Sequence, residues 1–216
     1  MKSYLSRREF LKISALGLST IAMRPWEPAY PFQVFPQSEN MGRVVVGKLD
    51  VMARPDADSQ VVGTLYEDAT VTWIREVIGA MPYRPNQRWV ETPDGYIWSP
   101  YLQPVRNEIN EPMTSLPETN LGPGMWAEVT VPYVNLTIAN PPGRAPWLVN
   151  RLESGLPPRF FYSQVAWVNQ VSTDDAGAVW YQIEERYGHG DRLWVPAETM
   201  RPLTKDETSP ISPDVE

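Results

Sequence analysis

Trp89-Val90-Glu91-Thr92-Pro93-Asp94-Gly95-Tyr96-Ile97-Trp98-Ser99-Pro100-Tyr101-Leu102-Gln103-Pro104-Val105 reads as a closing hairpin with one further apolar step. Pro93-Asp94-Gly95 is its corner, because proline supplies a fixed φ and glycine a positive one. Period two sets Val90 and Ile97 toward a core and turns Tyr96 and Trp98 to the other face. A looser copy runs from Trp180 through Trp194-Val195-Pro196 to Pro202-Leu203. Two closing hairpins predict two small β-domains and an all-β chain.

The bulk composition agrees. Twenty-three prolines, nine tryptophans and ten tyrosines in 216 residues favour short strands joined by marked turns over long helices. The net charge is −7, and residues 1–23 hold Lys2, Arg7, Arg8 and Lys12 against Glu9, so the rest is more acidic still. Phosphate-backbone binding needs clustered Lys and Arg, so no nucleic-acid partner is expected. The chain has no cysteine, which excludes disulfides, thiolate nucleophiles and Cys-based metal sites. Its single histidine, His189, excludes any site that needs two imidazoles. No metal and no other cofactor is expected.

The N-terminus reads as an address. Arg7 and Arg8, then Phe10 and Leu11, match a twin-arginine export signal, and the apolar run Ile13–Met23 follows it. That run is shorter than the about 20 residues a spanning helix needs. The expected partner during export is the twin-arginine translocase, and the expected location is the cell envelope or the extracellular space. Membrane contact is expected only through the signal segment.

The organisation follows in order. Residues 1–23 are the signal peptide and 24–41 a linker of alternating proline and aromatic residues. A first β-domain occupies 42–106, with Thr70–Ile78 as its longest strand candidate. Residues 107–124 lack apolar periodicity and read as a linker. A second, more divergent β-domain occupies 125–204, with an insertion rich in Pro and Gly at Ile138–Leu156. Residues 205–216 are polar, and read as the start of a further linker in a truncated or partial chain.

Catalytic chemistry finds little support. Glycines flank His189, which predicts a solvated turn, and no Gly-x-Ser-x-Gly occurs. The acidic pairs Glu67-Asp68, Asp174-Asp175 and Glu184-Glu185 read as surface residues that keep the chain soluble. The aromatics are the better ligand-binding candidates: Tyr83, Tyr96, Trp98 and Tyr101 in the first domain, Trp167 and Trp194 in the second. A ring offers a large apolar area and, in Tyr and Trp, a polar tip.

Leu49-Asp50-Val51-Met52-Ala53-Arg54-Pro55, Val61-Val62-Gly63-Thr64-Leu65, Trp89-Val90-Glu91 and Gly95-Tyr96-Ile97-Trp98 occur in the order found in bacterial Src-homology-3-like (SH3-like) cell-wall domains, which the first domain resembles. That family carries Asn-Val-Arg-Ser where this chain has Asp50-Val51-Met52-Ala53. The second domain is similar through Asn135-Leu136, Leu156-Pro157-Pro158-Arg159-Phe160-Phe161-Tyr162 and Trp194-Val195-Pro196. The resemblance implies two small SH3-like β-barrels in tandem behind the signal helix and an extended linker. With the signal, the whole resembles the N-terminal accessory region of an exported L,D-transpeptidase. The Ser-His-Gly-Cys motif of that enzyme is absent, so no catalytic residue carries over. The implied function is a non-catalytic module that binds or positions at peptidoglycan, through its stem peptide or its glycan. The alternatives are a structural spacer or protein-interaction module, and a carboxylate-based wall hydrolase.

Overall fold

The computed structural model describes residues 35–36, 38–120, 122–185 and 188–209. Arg7, Arg8, Phe10 and Leu11, with the rest of the expected signal, lie outside the described residues. The described residues belong to one compact unit with two separate apolar cores. We call the surroundings of these cores the N-terminal and C-terminal lobes.

The N-terminal lobe holds β1 (Met41–Val44), β2 (Lys48–Met52), β3 (Val61–Tyr66), β4 (Thr70–Thr72), β5 (Arg75–Ile78), β6 (Arg88–Thr92), β7 (Gly95–Trp98) and β8 (Leu102–Val105). They form two sheets, ordered β4-β1-β8 and β3-β2-β7-β6-β5. The expected single strand Thr70–Ile78 breaks at Trp73-Ile74. Trp73 N–H donates to the Asn40 carbonyl and Ile74 N–H to the Glu91 carbonyl. The bend thus carries one continuous segment from the first sheet into the second.

A short hairpin, β9 (Glu118–Thr119) and β10 (Gly122–Pro123), leads into the C-terminal lobe. That lobe contains β11 (Met125–Val129), β12 (Tyr133–Asn135), β13 (Thr137–Ile138), a helix at Pro146–Glu153, β14 (Arg159–Phe161), β15 (Val165–Thr173), β16 (Val179–Glu184), β17 (Arg192–Pro196) and β18 (Met200–Pro202). The main sheet runs β13-β17-β16-β15-β11-β18, and β12 pairs with β14.

The lobes share one path. In the first, β8 pairs β1, β1 pairs β4, the bent β4–β5 segment leads to β6, then β7, then β2. In the second, β18, β11, β15, β16, β17 and β13 take the same places. Each closing hairpin ends in one 3-10 turn, Ser99–Tyr101 or Ala197–Thr199, before the last strand. The quoted hairpin forms as read: Trp89 faces Trp98, Val90 faces Ile97, and Val90 and Ile97 are fully buried. Its corner needs Gly95, at φ +140°, since a Cβ there would lie 2.6 Å from the Met52 carbonyl oxygen.

The all-β expectation holds. The barrels expected do not close: the strand pairing leaves open sheets in both lobes. Their closing strands are short and contain Pro104 and Pro202, and proline offers no N–H to a further strand.

The expected linker is tied to the C-terminal lobe at Asn110 and Met113. Asn110 N–H donates to the Glu198 carbonyl, and Met113 N–H donates to the Tyr181 hydroxyl at 2.8 Å. Phe35, at the end of the Pro/aromatic segment, packs edge-on against Tyr133.

The strongest correction concerns Asp68, read from sequence as a soluble surface acid. It is 5% exposed. It adopts φ +66° in the turn between β3 and β4 and meets three guanidinium groups. Arg43 Nη1 lies 2.6 Å from Oδ1, and Arg159 Nη1 and Arg151 Nη2 lie 2.5 and 3.3 Å from Oδ2. Arg43 comes from the N-terminal lobe, Arg151 and Arg159 from the other. Arg43 also stacks on Phe161, 4.2 Å from the ring centre, and Arg159 on Tyr133. A carboxylate taken from water needs such partners to stay charged, and here they join the lobes.

Candidate functional site

An apolar concavity of about 460 Å³ lies in the C-terminal lobe. Trp126 on β11, Trp167 and Ala166 on β15, and Ile183 on β16 line one side, and Phe160 on β14 and Trp147 on the helix line the other. Ala166 and Ile183 belong to the buried core, so the cleft opens onto the core itself. It runs across the neighbouring strands β11, β15, β16 and β17 of the main sheet, and a volume of this size suits a small ligand or one inserted side chain.

Each wall has a local cause. Trp167 packs edge-on to Trp126 with centroids 5.3 Å apart. Gly124 makes room for it, since a Cβ there would sit 2.3 Å from the Trp167 ring. The helix starts at Pro146, where a missing N–H costs nothing. No side chain of its own caps it. Instead Asp191, 1% exposed, accepts hydrogen bonds from the N–H groups of Arg144 and Ala145. Asn140 holds the Asp191 loop by donating to the Gly190 carbonyl and accepting from Arg192 N–H. Asp191 therefore sets the helix start and, through it, Trp147, whose indole N–H reaches Glu185 Oε1 at 3.4 Å.

Two acids of one sequence pair, Glu184 and Glu185, line the cleft. Glu185 Oε2 also accepts the His189 N–H at 2.8 Å, and the exposed Glu184 accepts from Asn169 Nδ2 at 2.8 Å. Asp174, of another pair, serves a turn. It accepts from the Trp180 indole and from the N–H groups of Ala176 and Ala178, and the Trp180 bond above all holds its carboxyl below the usual range. Among the described residues no cluster of three or more His, Asp and Glu side chains is placed to hold a metal.

The sequence candidates separate. Trp98 and Tyr101 meet edge-on at 5.0 Å, and the Trp98 indole donates to the Asn86 carbonyl. Tyr96 shares the Trp98 face one step along β7, opposite Glu91. Tyr83 stands fully exposed at φ +60°, and its neighbour Arg84 lies 5.9 Å from the Trp98 ring. These four therefore lie on or around a partly buried pair rather than in one enclosed groove. Trp167 is 5% exposed and forms part of the cleft wall. Trp194 is buried, opposite Gln182 and Thr137, and does not line the cleft.

Sequence reasoning missed Trp126, Trp147, Phe160, Glu184 and Glu185 as one group. Trp147 sits in the insertion that separates the two lobes most clearly in sequence, and that insertion was the available signal.

The chain matches no family model, no curated protein and no solved structure.

Proposed function

We propose that this chain is a non-catalytic exported module that binds or positions at peptidoglycan. The carrying observation is the aromatic cleft of the C-terminal lobe, an open site with large rings and few charges. The N-terminal address and the tandem lobes support the same reading. The shared strand path and the 3-10 turn before the last strand support SH3-like kinship for both lobes. In this reading the chain is the accessory region of an L,D-transpeptidase-like wall enzyme, and its ligand is stem peptide or glycan.

Sedimentation of the purified chain with insoluble peptidoglycan tests it. The wild type is expected in the pellet, and Trp126→Ala/Trp147→Ala in the supernatant. Retention no greater than that of an unrelated protein of equal charge overturns the proposal.

One observation favours a spacer as the second reading. The Asp68 cluster joins the lobes through buried charges, as a rigid strut requires. A spacer predicts no pelleting by either protein.

A further inference from the structure

Building on the cleft of that reading, we propose that its ligand is a peptide segment rather than a saccharide. The segment inserts one apolar or aromatic side chain beside Trp147 and sets a cationic group against Glu184.

The largely apolar lining of the cleft favours this class. A sugar ring carries hydroxyls around its rim, and each one buried needs a partner. Here several polar atoms are already engaged. Gln164 Oε1 accepts the Phe161 N–H at 2.6 Å. Glu185 takes the Trp147 indole on one oxygen and the His189 N–H on the other. Arg159 gives Nε to Asn135 Oδ1 and Nη1 to Asp68. The larger part of the lining is hydrocarbon and ring: Trp126, Trp147, Phe160 and the core residues Ala166, Ile183 and Leu193. Such a surface rewards an inserted hydrocarbon group in proportion to the area covered.

Glu184 breaks the pattern. It is exposed, and of its two carboxylate oxygens only Oε2 has a partner among the described residues, Asn169 Nδ2. Glu184 therefore keeps a carboxylate oxygen at the cleft with acceptor capacity to spare. An ammonium or guanidinium group supplies several donors and the opposite charge. A neighbouring ring adds cation–π attraction when the cation lies over its face. The net charge of −7 favours approach of cationic ligands over long range, an effect that salt weakens.

The test uses the ¹⁵N-labelled full chain and follows the Trp147 indole N–H signal, assigned by its loss in Trp147→Ala. Three probes are titrated at low salt: acetyl-Gly-Phe-Lys-Gly-amide, acetyl-Gly-Phe-Glu-Gly-amide and chitotetraose. The Lys peptide is expected to shift the signal and to bind about tenfold more tightly than the Glu peptide. Glu184→Gln, at an exposed position, is expected to remove most of that difference and to keep the spectrum of the fold. Equal binding of the two peptides overturns the cationic part. A response to chitotetraose alone, or to no probe, overturns the proposal. The wall reading is judged apart. Lys-peptide binding without pelleting on peptidoglycan sinks that reading and leaves this inference, whereas pelleting with a chitotetraose response alone does the reverse.

Discussion

The two lobes run the same strand path, yet among the described residues the aromatic cleft that reaches core residues belongs to the C-terminal one. The N-terminal core comprises seven buried residues, from Val44 to Leu102, and the C-terminal core sixteen, from Met125 to Met200. The N-terminal lobe crosses between its sheets at the Trp73-Ile74 bend. The C-terminal lobe keeps β15 continuous over nine residues, with only a register shift between Val168 and Gln170. Its insertion adds a helix between β13 and β14, and Trp147 of that helix and Phe160 of β14 wall the cleft. One path thus yields a lobe without or with this open aromatic cleft according to what is inserted between two strands.

The largest expected effect breaks the link between the lobes. Asp68→Ala leaves three guanidinium groups around an empty place, and losing one partner of a buried ion cluster costs about 3–5 kcal/mol. Urea unfolding followed by tryptophan fluorescence is expected to change from one transition to two. A single unshifted transition shows that the lobes do not depend on this link.

Next comes core size. Ile97→Ala and Leu136→Ala each delete a fully buried aliphatic group, at a cost of about 2–5 kcal/mol. The smaller N-terminal core has fewer buried neighbours to absorb the loss. Amide exchange is therefore expected to show the whole N-terminal lobe opening in Ile97→Ala, and only local opening around β12 in Leu136→Ala. Equal spread in both variants contradicts the distinction.

A finer contrast concerns the tryptophans at equivalent places in the two hairpins. Trp180 donates its indole N–H to Asp174 at 2.9 Å. Trp89, 2% exposed, has no acceptor for its indole N–H among the described residues. A buried unmade hydrogen bond costs about 1–3 kcal/mol. Trp89→Phe removes that penalty, which offsets part of the lost packing, whereas Trp180→Phe loses packing and a bond together. The melting temperature is expected to fall less for Trp89→Phe, and the reverse order refutes the assignment.

The smallest effect belongs to the C-terminal lobe alone. Glu207 caps the short helix Lys205–Thr208 with Thr204 and pairs with Arg201, which also meets Glu128. The Arg201 hydrogen bond, first among the causes, holds the Glu207 carboxyl down to about 2. Its folded pKa lies below the unfolded one, so its contribution is present above the usual value of 4.5 and fades as the pH falls toward about 2. A pH series of melting temperatures is expected to separate wild type from Glu207→Gln at neutral pH and to bring them together near pH 2. A constant gap rules out this titration.

Much of the fold was legible because it rests on local rules. The Asp94-Gly95 corner, the Val90–Ile97 alternation and the second closing hairpin at Trp180–Trp194 each follow from turn chemistry and period two. The cleft was not legible. Trp126, Trp147, Phe160 and Glu184 are separated by tens of residues, and no period relates them.

The sequence by itself determined the all-β class, the duplicated hairpin and the absence of thiol chemistry, since these depend on composition and near neighbours. Tertiary structure alone decided that the sheets stay open, that Asp68 is buried among three arginines, and that four rings meet over a core. Those outcomes depend on contacts between residues far apart in the chain. The cost of burying a carboxylate is met only when guanidinium groups from both lobes arrive together.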